Sequence, residues 1–326
     1  MDRRPLYHVG VAGAGAWGTT LANSIASSGG RATLWANDQE LAQDINLKRE
    51  NSRFLPGIAL NKNVVASSDA SALAACDLIL LACPAQTVRA TLSRIPVRSP
   101  LLICAKGIET ASGALMPEVA AEVVVGASIG MLSGPSFARD VSLGLPCAVT
   151  IAFENERLAA DVSAAIGGSS FRPYASSDVV GVAVGGAVKN VLAIACGIVD
   201  GRGLGESARA ALLTRGFSEM ARFGLALGAK FETMAGLSGF GDLVLTASSR
   251  QSRNFSLGVE LAQGARSGES GPLAEGAATA PALVKRARSL GIHMPIAEAV
   301  AEIIAGSVDV DTAIRALLSR PLKSES

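Results

Sequence analysis

A chain of 326 residues with 49% hydrophobic side chains can bury a large core and exceeds the usual size of one domain, so two domains flanking a cleft are expected. Its 29 basic and 28 acidic residues leave a net charge of +1, which excludes a surface-wide field that would draw in nucleic acid or anionic lipid; any anion must be held by a local site. The five cysteines, Cys76, Cys83, Cys104, Cys147 and Cys196, lack CxxC spacing and lie in apolar runs, which argues against a disulfide framework or a metal site. The N-terminal segment does not read as an export signal, and the expected compartment is the cytoplasm.

In chain order, an apolar run at 6–12 reads as a strand. The turn Gly13-Ala14-Gly15-Ala16-Trp17-Gly18 follows, and apolar positions at helical spacing over 19–27 read as a helix. Strands at 31–36, 64–66, 78–82 and 101–104 and a helix over 38–47 continue the alternation; further strands are expected at 128–132 and 148–152, with a helix over 156–166. Strands alternating with helices predict a doubly wound, Rossmann-type parallel sheet in an α/β domain over 1–178. From about Asp178 the alternation stops. Helical periodicity at 179–199, 208–227, 256–263, 278–290, 296–305 and 310–318 predicts an all-helical C-terminal domain over 179–326, with the Gly- and Ser-rich stretch 264–271 as a mobile loop. Apolar stripes on those helices are compatible with a homodimer.

Gly13, Gly15 and Gly18 satisfy G-x-G-x-x-G between a strand and a helix, the context in which this spacing holds a dinucleotide pyrophosphate. Asp38 is placed to hold the adenosine ribose and equally to cap the helix it precedes. Lys48, Arg49 and Arg53 are the basic residues nearby that a 2′-phosphate could use.

The stretch from Gly181 to Val199 is apolar around one Lys189-Asn190 pair. A membrane span is disfavoured by the central lysine and the glycines. A buried, paired structural lysine is one remaining reading. The other is a lysine whose pKa is lowered by desolvation so that it exchanges a proton with a reacting oxygen. Asp242, after the glycine-rich 236–241, is either a helix cap or the carboxylate that holds that ammonium. Arg253, in Ser252-Arg253-Asn254, has the planar fork that grips phosphate, although a surface arginine is the commoner use.

Together these residues resemble the NAD(P)-dependent glycerol-3-phosphate dehydrogenases of the bacterial biosynthetic type. The resemblance rests on the glycine loop with Trp17, Phe54-Leu55-Pro56-Gly57 at the end of the stretch from Asn51, Ala105-Lys106-Gly107, Ser133-Gly134-Pro135-Ser136-Phe137-Ala138, Gly185-Gly186-Ala187-Val188-Lys189-Asn190, the block from Gly239 to Thr246, and Gln251-Ser252-Arg253-Asn254. It implies reversible reduction of dihydroxyacetone phosphate to sn-glycerol 3-phosphate with NADP(H) or NAD(H), the step that supplies the phospholipid backbone. It further implies Lys189 as proton donor and acceptor, with Lys106, Asp242, Asn190 and Thr246 around it. Gly134, Ser136, Ser252, Arg253 and Asn254 are implied on the substrate. Gly13, Gly15, Ala16, Trp17, Gly18, Asn37, Phe54, Lys106, Ala138, Arg253, Leu273 and Glu275 are implied on the cofactor, and no metal or nucleic acid is involved. The chain departs from the pattern at Ala16, where a serine is common, at Asn37, where His or Arg is common, and after Glu275, where Gly276-Ala277-Ala278 replaces aromatic and basic residues.

Two rival readings remain. A 3-hydroxyacid or 6-phosphogluconate-type dehydrogenase has a similar architecture but a carboxylate substrate, and a regulatory protein that binds NAD(P)H without chemistry has no use for Lys106, Lys189 and Asp242 together.

Overall fold

The computed structural model describes residues 8–265 and 274–320. Eight strands form one sheet: β1 His8–Ala12, β2 Arg31–Trp35, β3 Val64–Ser67, β4 Leu78–Leu81, β5 Leu101–Ile103, β6 Ile129–Ser133, β7 Cys147–Phe153 and β8 Phe171–Ser176, in the order β3-β2-β1-β4-β5-β6-β7-β8. The helices between them are α1 Ala16–Ser27, α2 Gln39–Lys48, α3 Val88–Leu92, α4 Met116–Val123, α5 Ala138–Ser142 and α6 Glu156–Ile166. Leu78 and Leu80 of β4 pack with Leu21 and Ile25 of α1 on one face. Ile79 and Leu81 pack on the other, with Met116 and Val119 of α4 and with the helical region. A strand buried on both faces has no polar alternation, which is why these strands read as continuous apolar runs.

The sheet departs from the all-parallel expectation at one place. β6 and β7 are antiparallel, with Leu132 opposite Ile151, while β7 and β8 are parallel again. The segment joining β6 to β7 carries only the five-residue α5. It turns the chain back instead of making the longer crossover that a parallel neighbour requires. β8, with Pro173 and an exposed Tyr174, was not expected as a strand; proline and exposed side chains are admitted there because the strand is the sheet edge. The short helices α3, α4 and α5 were not expected either, since five to eight residues carry little periodic signal.

The helical region contains α7 Val179–Gly201, α8 Glu206–Ala226, α9 Phe231–Ala235, α10 Asp242–Thr246, α11 Arg253–Ala262, α12 Glu275–Ser289, α13 Pro295–Ala305 and α14 Val310–Leu318. Its centre is α7, in which every residue from Gly181 to Val199 is buried. By length and composition this helix could cross a membrane, yet it is wholly enclosed by protein. The Asp178 carboxylate caps it, accepting from Gly181 N at 2.7 Å, and also accepts Lys230 N–H at 2.8 Å, fixing the helix start against the α8–α9 connection. One apolar cluster runs from the β4–β6 face of the sheet through α7 to α8, α11, α12 and α13, so the helical region and the sheet share a core. Of the 264–271 stretch, 266–271 lie outside the described residues.

Candidate active site

The ends of β1, β4, β5 and β6 carry the segments that form the site, and β1 and β4 are the adjacent strands where the winding of the sheet reverses. Open α/β sheets bind ligands in the crevice beyond such strand ends. At the first of them the glycines have separate reasons. Gly13 has φ +119° and sits against Ala82, where a Cβ would lie 2.7 Å from the Ala82 oxygen. A Cβ on Gly18 would lie 1.8 Å from the Gly13 oxygen, so this glycine closes the helix onto the turn. Gly15 has ordinary extended geometry, φ −74°, and no atom within 4 Å of a Cβ built there. Neither strain nor packing requires glycine at Gly15, and the open space above it faces the first turn of α1, where Ala16, Trp17 and Gly18 present N–H groups with no partner inside the helix.

Two further polar groups fit a polar ligand in this crevice. The Trp17 indole N–H is buried without a protein partner among the described residues. Glu275, the first residue of α12, accepts Ala85 N–H through Oε1 at 3.2 Å while its Oε2 is buried and unpartnered. Burial pushes the Glu275 carboxyl above its ordinary range, against the Ala85 hydrogen bond and the Arg253 charge. Phe54 is half exposed, and the Arg53 guanidinium lies over its ring at 5.1 Å. Ala138 opens α5, its carbonyl oxygen accepting from the Thr20 hydroxyl of α1 at 3.1 Å. Asn37 is exposed just beyond β2. Leu273 lies outside the described residues.

Asp38 serves as the cap. Its Oδ1 accepts Leu41 N–H at 3.2 Å and its Oδ2 pairs with Arg53 at 3.2 Å. Lys48 is paired with Asp44, and Arg49 is turned onto the backbone oxygens of Asn61 and Val64, leaving Arg53 as the basic side chain next to Asp38.

The second part of the site is an ion triad. Lys189 Nζ donates to Asp242 Oδ1 at 2.9 Å and to the Thr246 hydroxyl at 2.8 Å. Lys106 Nζ donates to Asp242 Oδ2 at 2.6 Å and to the Gly134 carbonyl at 3.3 Å. Asp242 is 1% exposed and divides its two oxygens between the two ammoniums. An ammonium has three donors, so two fixed bonds leave Lys189 one hydrogen for a further partner. Burial drives the Lys189 pKa down from 10.5 to about 8, with Asp242 opposing the shift and Lys106 and Arg253 adding to it. Burial alone would raise the Asp242 carboxyl, but the two lysines outweigh it and hold it below its ordinary range.

Glycines bring these groups together. Gly185 and Gly186 lie one turn before Lys189 on its own face of α7. A Cβ on Gly185 would be 2.5 Å from the Ser238 oxygen, and one on Gly186 would be 2.9 Å from Ser133 Oγ and 3.3 Å from Lys106 Cγ. Residues Leu237–Gly241 form a wide π turn, closed by Gly241 N–H to the Gly236 oxygen at 2.9 Å, which runs directly into α10 and carries Asp242 to α7. Gly185→Ala is therefore expected to push this turn outward, lowering stability by about 1–3 kcal/mol and kcat at least about tenfold through loss of the Asp242 contact; thermal melts and steady-state rates measure both. Sequence reasoning noted Ser133 in a family block but gave it no role; its hydroxyl reaches Asp242 Oδ2 at 3.4 Å. A serine ending a strand offers no local signal of a partner that distant in the chain.

Not every expected site residue points at the crevice. Asn254 is buried; its Nδ2 donates to Asn190 Oδ1 at 2.9 Å and its Oδ1 accepts Gly276 N–H at 2.9 Å, tying α7, α11 and α12 together. That geometry makes it a cross-link, with Asn190 as its partner. Ser252 caps α11 by accepting Phe255 N–H at 3.2 Å, and Ser136 donates to the Gly134 oxygen at 3.0 Å. Arg253, exposed at the start of α11, forms no ion pair among the described residues and lies close enough to Lys189 and Glu275 to influence both charges.

Comparison with known proteins agrees with this fold. Residues 8–159 match the family model described as NAD-dependent glycerol-3-phosphate dehydrogenase N-terminus, and residues 178–315 match the corresponding C-terminus. The chain is 52% identical over 326 residues to a glycerol-3-phosphate dehydrogenase (NAD(P)+) of Parvibaculum lavamentivorans, with 98% of each chain covered. It is 53% identical over 327 residues to that of Caulobacter vibrioides, again covering 98% of each. The crystal structure of glycerol-3-phosphate dehydrogenase from Coxiella burnetii superposes with a TM-score of 0.91 at 34% identity, covering 96% of this chain and 99% of that one. With a Rossmann-type sheet, a match to both domain models and relatives of this identity over nearly its whole length, the chain belongs to the NAD(P)-dependent glycerol-3-phosphate dehydrogenase family.

Proposed function

We propose that the protein catalyses the reversible reduction of dihydroxyacetone phosphate to sn-glycerol 3-phosphate, in the cytoplasm, as the supply of glycerol phosphate for phospholipid synthesis. The observation that carries this reading is Lys189, buried in α7 with a pKa near 8 and one hydrogen free beside Asp242. Bound NAD(P)H supplies the hydride that the carbonyl carbon accepts. Lys189 Nζ gives a proton to the carbonyl oxygen in reduction, becoming neutral, and takes it back from the alcohol in oxidation; a pKa near neutrality lets one group serve both directions. Asp242 and Thr246 fix the ammonium so that its third hydrogen is aimed, and Lys106, tied to the same carboxylate and to Gly134, places positive charge beside the developing alkoxide.

Arg253 and the free N–H groups at the start of α11 are assigned to the substrate phosphate, with the Gly134 turn, held by the Ser136 hydroxyl, lining the approach. Ser252 caps that helix and Asn254 holds Asn190, so both act by fixing the phosphate end and the α7 face respectively. On the cofactor side we assign the Gly13–Gly18 loop, Phe54, Ala138 and Glu275. Both NADP(H) and NAD(H) are accepted in this reading, because Asn37 supplies no charge and Arg53 is shared between Asp38 and an incoming 2′-phosphate.

The test is oxidation of NADPH and of NADH with dihydroxyacetone phosphate, with unphosphorylated dihydroxyacetone and with 3-oxo acids, by the natural chain and by Arg253→Ala. Only the phosphorylated ketone is expected to turn over well, and Arg253→Ala is expected to raise its KM by about 10- to 100-fold, the worth of a charge-assisted bond. Equal KM in the variant would place the phosphate elsewhere, and preference for the oxo acid would overturn the substrate.

A further inference from the structure

Asn51 lies in the segment that precedes Phe54 and is 1% exposed, yet it belongs to no strand or helix. Both amide hydrogens and the amide oxygen of its side chain have partners. Nδ2 donates to the Ala14 carbonyl oxygen at 2.9 Å and to the Thr19 hydroxyl oxygen at 2.8 Å, while Oδ1 accepts Phe54 N–H at 3.3 Å. The orientation of the amide is fixed by chemistry, since exchanging its oxygen and nitrogen would set oxygen against the Ala14 carbonyl oxygen and nitrogen against the Phe54 N–H.

Ala14 and Thr19 bracket the group of N–H donors from Gly15 to Gly18. A trans peptide is planar, with its carbonyl and its N–H pointing in opposite directions. The bond from Asn51 to the Ala14 oxygen therefore also aims the Gly15 N–H, which belongs to the same peptide unit, away from Asn51. The bond to Thr19 secures the other end of the first helical turn, where Thr19 N–H closes on the Gly15 oxygen at 2.9 Å. The same residue fixes the Phe54 segment from within, its backbone oxygen accepting Leu55 N–H at 2.8 Å.

We propose that Asn51 is a positioning residue for the cofactor: it holds the pyrophosphate-binding N–H groups in their receptive orientation before the cofactor arrives, and it ties that loop to the Phe54 segment so that both present themselves together. It touches no reacting atom. Its contribution is preorganisation, which is seen as affinity for the dinucleotide and not as speed of the chemical step. The inference rests on the reading that the Gly13–Gly18 loop binds the cofactor.

Asn51→Asp keeps the shape and the acceptor but removes both donors and sets a carboxylate against the Ala14 oxygen. The KM and the dissociation constant for NADPH are expected to rise about 10- to 100-fold, with kcat at saturating NADPH within about threefold of the natural chain and the KM for dihydroxyacetone phosphate unchanged. Thr19→Val, which removes one acceptor at nearly constant volume, is expected to raise the NADPH constants severalfold. A merely structural role would lower thermal stability without this separation of NADPH affinity from kcat. Gly15→Val supplies the reference, since the space above Gly15 tolerates a side chain in the free protein but the cofactor could not then approach. If Gly15→Val abolishes NADPH binding while Asn51→Asp and Thr19→Val bind it as the natural chain does, the positioning role is overturned and the loop assignment stands. If Gly15→Val also binds NADPH normally, the loop assignment itself fails.

Discussion

Lys189→Ala is expected to lower kcat for ketone reduction about 10²- to 10⁴-fold, the usual worth of a positioned general acid, with NADPH affinity within about threefold of the natural chain. The loop assigned to the cofactor joins β1 to α1, and no bond from Lys189 reaches it. Asp242 keeps Lys106 as a partner in this variant, so no buried carboxylate is stranded. Lys189→Met, which fills most of the volume, controls for the cavity. NADPH titration followed by stopped turnover measures both quantities; turnover within tenfold of the natural rate in both variants would remove Lys189 from the chemistry.

The second large effect is expected at Asp242, and it is read in the pH profile. In the proposed mechanism ketone reduction draws on the Lys189 ammonium, so kcat/KM is expected to be flat at lower pH and to fall tenfold per pH unit above about 8. Oxidation of the alcohol requires the neutral amine, and its kcat/KM rises through the same region. Asp242 is the group that opposes the downward shift of Lys189. In Asp242→Asn the limb should therefore move to lower pH, and reduction at pH 8 should lose about 100-fold or more as both the charge and the alignment of two lysines go. An unshifted limb would mean that another group titrates. Stability runs opposite to the reduction limb: Lys189 has a lower pKa folded than the ordinary 10.5, so the unfolded chain holds the extra proton between about 8 and 10.5 and stability contributed by this site rises with pH across that window.

How much of this could be read without the fold differs from residue to residue. Gly13, Gly15 and Gly18 were legible because a strand-to-helix turn is a local object whose spacing states its geometry, and Lys189 was legible because a charge inside a long apolar run is costly wherever the helix lies. The long elements α1, α2, α6, α7 and α8 followed from periodicity for the same reason. The short α9 and α10 and the π turn between them did not, since five residues do not define a period and the turn is held by α7, not by its own sequence. Asp38 was left between two roles that its neighbours in sequence could not separate; the Leu41 N–H and the Arg53 guanidinium, 15 positions on, assign it to the cap. Asn254 illustrates the reverse, a polar residue in a phosphate-like triplet whose bonds go inward to Asn190, 64 positions away.

By itself, then, the sequence determined a dinucleotide turn on a doubly wound sheet, a helical second half and a lysine that needs a reason to be buried. Those follow from backbone sterics, hydrophobic period and the cost of desolvating charge, all of which act over a few residues. Only the tertiary structure decided that Asp242 serves two lysines, Lys189 53 positions before it and Lys106 136 positions before it, that the β6–β7 pair runs antiparallel, and that Asn51 grips the glycine turn. These depend on which strand ends and glycine faces the fold brings within hydrogen-bond reach, and no spacing along the chain encodes that distance.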